Sequence, residues 1–125
     1  MDMSDPRLSV EVRQAFLEII GQLLVADFQV TTEEDAFFQR LVSRLGLTEA
    51  QRDQVVKRVD IGTDAELISA KIPLPLRLEL QRVLAEAAAA DGEIAPRELD
   101  LLERVALVMQ ILNAYPGYGA APVGD

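Results

Sequence analysis

The 125-residue chain has neither cysteine nor histidine. Without cysteine there are no disulfides, thiolate nucleophiles, iron–sulfur clusters or thiolate zinc sites. Without histidine the usual triad base and the usual ligand for zinc, copper and haem are missing. A metal would therefore have to be held by oxygen, which selects a hard ion such as calcium, magnesium or manganese. Aromatic residues are scarce at 5%, yet half of the chain is hydrophobic, so the core must be aliphatic. Positive charge is also in short supply, with 12 Lys and Arg against 21 Asp and Glu and a net charge of −9. That balance, with no basic cluster, argues against a nucleic-acid partner and against an anionic membrane surface.

No long hydrophobic run is present. The longest apolar stretch, residues 17–30, is interrupted by Glu18, Gln22 and Asp27 and is too short and too polar to span a bilayer. The opening Met-Asp-Met-Ser-Asp lacks the basic start of a secretion signal. The expected address is the cytoplasm, without membrane insertion.

What the chain does have is helical periodicity from end to end. Over residues 9–26 the apolar positions Val12, Phe16, Ile19, Ile20 and Leu23 follow the i, i+3, i+4, i+7 rule. Thr31 with Glu34 reads as a capping box, starting a helix whose stripe is Phe37, Phe38, Leu41, Val42 and Leu45 and which Gly46 ends in the left-handed region. Thr48 with Gln51 is a second box, opening a helix with Val55, Val56 and Val59 on its apolar side that Gly62 closes. Thr63 with Glu66 reads as a third, for a short helix carrying Leu67 and Ile68. Pro73 and Pro75 forbid continuation, and Pro75 suits the first position of the next helix, with Leu76, Leu80, Val83, Leu84, Ala87 and Ala88 buried and Gly92 at its end. Pro96 suits the first turn of the last helix, striped by Leu101, Leu102, Val105, Met109 and Leu112. Nothing alternates with period two over a useful length. The expectation is a single all-α domain of about six helices over residues 1–114, followed by a frayed tail over residues 115–125.

A shift of 64 positions, the separation of Asp27 and Asp91, lays residues 16–47 on residues 80–111 without a gap. Val30 then meets Ile94, Glu34 meets Glu98, Arg40 meets Arg104, and the apolar stripes coincide. The chain reads as two copies of one helical hairpin, expected to pack about a pseudo-two-fold axis. Both hairpin tips share the pattern Asp-x-x-apolar-x-x-x-Glu, at Asp27 to Glu34 and at Asp91 to Glu98.

These residues carry a resemblance. The run of alanines before Asp91-Gly92-Glu93-Ile94-Ala95-Pro96-Arg97-Glu98-Leu99, together with Leu-Leu-Val-Ala-Asp27 and the Leu-Gly-Leu-Thr at positions 45–48, resembles the tellurite-resistance TerB-like family. The likeness extends from about Leu17 to Leu112. It implies an all-helical duplicated fold, a stress-linked accessory role through a protein partner, and divalent-cation binding by tip carboxylates. Carried onto this chain, the candidate metal ligands are Asp27, Glu34, Asp91 and Glu98, and the candidate ion is Ca2+ or another hard divalent cation. One departure matters: the family's Asp-Gly stands at the second tip, whereas the first reads Asp27-Phe28, and Phe28 makes a left-handed turn costly.

A structural reading of the same acids stands beside this one. Glu34 is the capping-box partner of Thr31, Glu98 suits the positive end of a helix dipole, and Asp91-Gly92 is a common turn pair. Arg40 and Arg104 can pair with the glutamates one to two turns back, leaving no room for an ion. An EF-hand is excluded, because the loop's first half would require carboxylates where Ala87 and Ala89 stand. No phosphate-binding loop is present, and Ser43 and Ser69 have no evident base, so no catalytic residue is assigned. The alternative to the TerB-like reading is a metal-free structural adaptor or a dimerisation module, whose partner is a second copy of the chain. Arg77 and Arg82, bracketing Glu79, read as a solvated face.

Overall fold

The computed structural model describes residues 8–26, 31–89 and 96–111. Within them the chain is all-helical, with six α-helices and no strand: α1 Val10–Ala26, α2 Thr32–Arg44, α3 Glu49–Ile61, α4 Ala65–Ser69, α5 Leu74–Ala88 and α6 Pro96–Val108. The tail from Tyr115, the turn residue Phe28 and the expected helix stop at Gly92 lie outside the described residues.

Helices α1 to α4 start where a side chain accepts an orphan backbone donor of the first turn. Ser9 Oγ accepts from the Val12 amide at 3.2 Å for α1. Thr31 and Thr48 form complete capping boxes with Glu34 and Gln51. The third box is a correction: Asp64, not Thr63, caps α4, its carboxylate accepting from the Glu66 amide at 2.9 Å. A carboxylate is the stronger acceptor toward the positive end of a helix. The proline reading moves by one residue, since Leu74 begins α5 and Pro75 occupies its second position.

The core is aliphatic apart from Phe16, Phe37 and Phe38, and it is one cluster drawn from every helix. Helix α1 is its axis, touching α2, α3, α4 and α6, while α5 packs on α2 and α6. The expected stripes of α2 and α5 are buried throughout. Of the other stripe residues, Leu23 is partly buried, Val56 is 39% exposed and Leu67 is 67% exposed. Helices α3 and α4 bury two residues each, against five or more on α2 and α5, so one member of each apolar side is left outside.

The 64-residue shift recurs in the backbone. Helices α1 and α5 begin at Val10 and Leu74, and α2 and α6 match at both ends. Both of the latter end in the same Schellman motif. After α2 the amides of Gly46 and Leu47 donate to the Ser43 and Val42 carbonyls; after α6 those of Gln110 and Ile111 donate to Leu107 and Ala106. The left-handed residue is Gly46 in the first motif (φ 68°) and Gln110 in the second (φ 58°).

Two arginines repeat as well, outside the segment over which the sequence copies align. Arg13 donates from Nε to the Leu8 carbonyl and from Nη1 to the Leu45 carbonyl at 2.8 Å. Arg77 donates from Nε to Ile72, from Nη1 to Met109 and from Nη2 to Ser69, at 3.0, 3.1 and 2.9 Å. The solvated-face reading of Arg77 is thus corrected. It is half-buried and ties the entrance of α5 to the ends of α4 and α6, where unpaired carbonyls and the helix dipole favour a cation.

Arg77→Met keeps the apolar stem and removes these charged donors, so it should cost about 2–3 kcal/mol in urea denaturation. Arg82→Met, on an exposed position, should stay within about 0.5 kcal/mol. Gln110→Gly should raise stability by about 0.5–1 kcal/mol, because glycine relieves the left-handed strain at some entropic cost.

Candidate functional site at the hairpin tips

Of the four carboxylates that the tip pattern singles out, Glu34 and Glu98 are described; Asp27 and Asp91 lie outside the described residues. Both glutamates occupy the third position of their helices, α2 and α6, and both meet an arginine of the other hairpin.

Glu34 is buried, at 9% exposure. One of its oxygens accepts from the Thr31 amide at 2.9 Å, completing the capping box, and the other lies 3.5 Å from Arg97 Nη2 at the start of α6. Glu98 lies 3.8 Å from Arg40 Nη2. That guanidinium also donates from Nε to the Ala87 carbonyl at 3.2 Å, near the end of α5, and its carbon stands 5.9 Å from the centre of the Phe37 ring, within cation–π reach. Arg40 therefore joins three elements: its own helix α2, the last turn of α5 and the first turn of α6.

The two tips differ in chemistry for reasons written in the sequence. Thr31 caps α2, but its counterpart under the shift is Ala95, whose methyl group offers no acceptor. Glu34 is held by a cap as well as by Arg97, while the contact recorded for Glu98 is the one to Arg40. The anticipated pairing of Arg40 with a glutamate of its own helix is replaced by a pairing across the hairpins. Arg104 lies 4.0 Å from Asp100, one turn back in α6. Arg97, which sequence reasoning left out, has Glu33 as its counterpart, so no repeat signal marked it.

Beside these pairs a cavity of about 290 Å³ is lined by Leu24, Glu34, Pro96, Arg97, Asp100 and Leu101. Its charged groups are two carboxylates and one guanidinium. No group of three or more Asp, Glu, His or Cys side chains suited to a metal occurs among the described residues. Ser69 is buried, its hydroxyl donating to the Glu66 carbonyl at 2.7 Å.

A second polar seam escaped the sequence reading. Gln14 and Glu18, one turn apart on α1, are 5% and 3% exposed. Gln14 donates to the Gln51 carbonyl and to Gln54 Oε1, and Glu18 accepts from Arg58 Nε at 2.9 Å. The i, i+4 spacing of polar residues within an apolar helix was the available signal. The seam ties α3 to α1.

Because the Glu34 carboxylate acts first as a cap, Glu34→Gln, which keeps an acceptor oxygen, should change stability by less than about 0.5 kcal/mol. Glu34→Ala should cost about 1 kcal/mol, read by thermal or urea unfolding. Among the described residues no helix is long and apolar enough to cross a membrane. Compared with known proteins, the chain matches no family model, no curated protein and no solved structure.

Proposed function

We propose that this chain is a metal-free, TerB-like helical adaptor, a non-catalytic domain of the tellurite-resistance and stress-response type that works by binding a partner protein. In this reading the two hairpins are an internal duplication related by a pseudo-two-fold axis. The recurrence of the Schellman motifs and of the Arg13 and Arg77 bonds 64 residues apart supports it.

The observation that carries the metal-free part is the cross-hairpin pairing of Glu34 with Arg97 and of Glu98 with Arg40. Acids gathered for a divalent ion repel one another until the ion arrives. Here guanidinium groups already balance the two glutamates, and an arriving cation would have to displace Arg40 from Glu98 and face its positive charge. The tip acids then act as fasteners between hairpins. As partly exposed pairs at 3.5–3.8 Å, they contribute more to orientation than to stability, each being worth about 0–1 kcal/mol. A catalytic reading has no support from Ser69 or Ser43, since Ser69 is buried against a backbone carbonyl and Ser43 is exposed.

The test is a calorimetric titration of the chelator-treated protein with calcium and then manganese, alongside the variant Asp91→Asn/Glu98→Gln. The expected outcome is no saturable heat for either ion. Saturable binding to the parent protein that disappears in the variant would overturn the metal-free reading and make Asp27, Glu34, Asp91 and Glu98 ligands.

A further inference from the structure

An apolar groove of about 140 Å³ opens between α1, α2 and α3. Its buried members are Gly21, Leu24, Phe38 and Val59, and its exposed members are Val25, at 50%, and Val56, at 39%. Gly21 allows the helices to close beneath it, since a Cβ there would lie 2.7 Å from Val59 Cγ2. The two charged residues in the lining are both aspartates, Asp35 on α2 and Asp60 on α3, both exposed. Neither makes an ion pair among the described residues. This is the same Val56 that departs from the expected apolar side of α3: its side chain faces a groove that no part of the described chain fills.

The volume sets the size of the occupant. An apolar cavity of roughly 150 Å³ holds one benzene-sized group, so the groove has room for a leucine or phenylalanine side chain. The charges set its surroundings. A second copy docked groove to groove would bring its own Asp35 and Asp60 against the first pair, and any other approach would still carry the chain's net charge of −9. Residues 1–7 and 112–125 are equally unsuited. Residues 112–125 contain no Lys or Arg, and residues 1–7 carry two aspartates against one arginine.

We propose that this groove is the docking site for a partner protein's basic segment, one that presents a single leucine- or phenylalanine-sized anchor flanked on both sides by Lys or Arg. The anchor fills the space over Gly21 and Val59, and the flanking cations meet Asp35 and Asp60. The inference rests on the partner-binding reading above and gives that partner a chemistry. Burial of the anchor supplies affinity, and the aspartates supply selection and a salt-dependent approach.

The experiment is a titration of the isotope-labelled protein with three capped peptides, GKRFRKG, GKRARKG and GEDFDEG, followed by amide chemical shifts at two salt concentrations. GKRFRKG should bind saturably, with the largest shifts at Gly21, Val56 and Val59, and at least tenfold more tightly than either of the others. Asp35→Asn/Asp60→Asn should weaken it several-fold and flatten the salt dependence. Val56→Arg, a change at an exposed position, should abolish binding while leaving the spectrum folded. Equal binding of GKRFRKG and GKRARKG, or no binding at millimolar peptide, would overturn the groove assignment. Saturable shifts that map to another face would overturn the groove and leave partner binding standing, whereas saturable heat with calcium or manganese bears on the adaptor reading and not on the groove.

Discussion

The arrangement depends first on how the ends of α2 and α6 are terminated. A helix that stops against other helices leaves carbonyls with no intrahelical donor, and burying them unpaired is costly. This chain answers with a Schellman turn and an arginine at each of the two ends. Arg13 and Arg77 are well suited because a guanidinium offers several donors in a fixed plane and is always charged. One side chain can thereby hold the entrance of one helix and the exit of another. With the open end of each hairpin closed in this way, the helix axes are set, and the tip pairs and the groove follow from them.

Much of the fold was legible because it is local. Capping boxes at Thr31 and Thr48, the left-handed glycines at 46 and 62, and the apolar stripes of α2 and α5 all depend on residues within a few positions of one another. The readings that failed concerned choices between neighbours or contacts across the fold. Thr63 and Asp64 both offer a capping oxygen, and only the geometry of the approaching chain selects Asp64. Arg77 beside Glu79 looks like surface until the carbonyls of Ser69, Ile72 and Met109 are brought to it. The pairing of Arg40 and Arg97 with glutamates of the opposite hairpins is a tertiary fact that no spacing announces. Of the candidate ligands, the positions of Glu34 and Glu98 at equivalent helix turns were readable, and the identity of the cations beside them was not.

The same contrast separates the two hairpins. Their backbones share helix starts, the ends of α2 and α6 and turn hydrogen bonds, while the side chains at equivalent places differ: Thr31 against Ala95, Gly46 against Gln110, Glu33 against Arg97. Backbone geometry tolerates such exchanges when the lost interaction is worth about 1 kcal/mol or less and the core is kept. With unlike charge at equivalent places, the hairpins face each other as partners of unlike chemistry.

That difference bears on the local stability of the two hairpins. The Arg13 bond to Leu45 and the Arg77 bond to Met109 each close a loop of 32 residues. The two closures therefore carry the same polymer entropy, and chain length gives neither hairpin a head start. Local stability breaks the tie. The first hairpin has a threonine cap on its second helix and a glycine at its left-handed turn, and the second has alanine and glutamine at those places. The second helix of the first hairpin is thus the better terminated of the two, with a cap worth about 1 kcal/mol that its counterpart lacks.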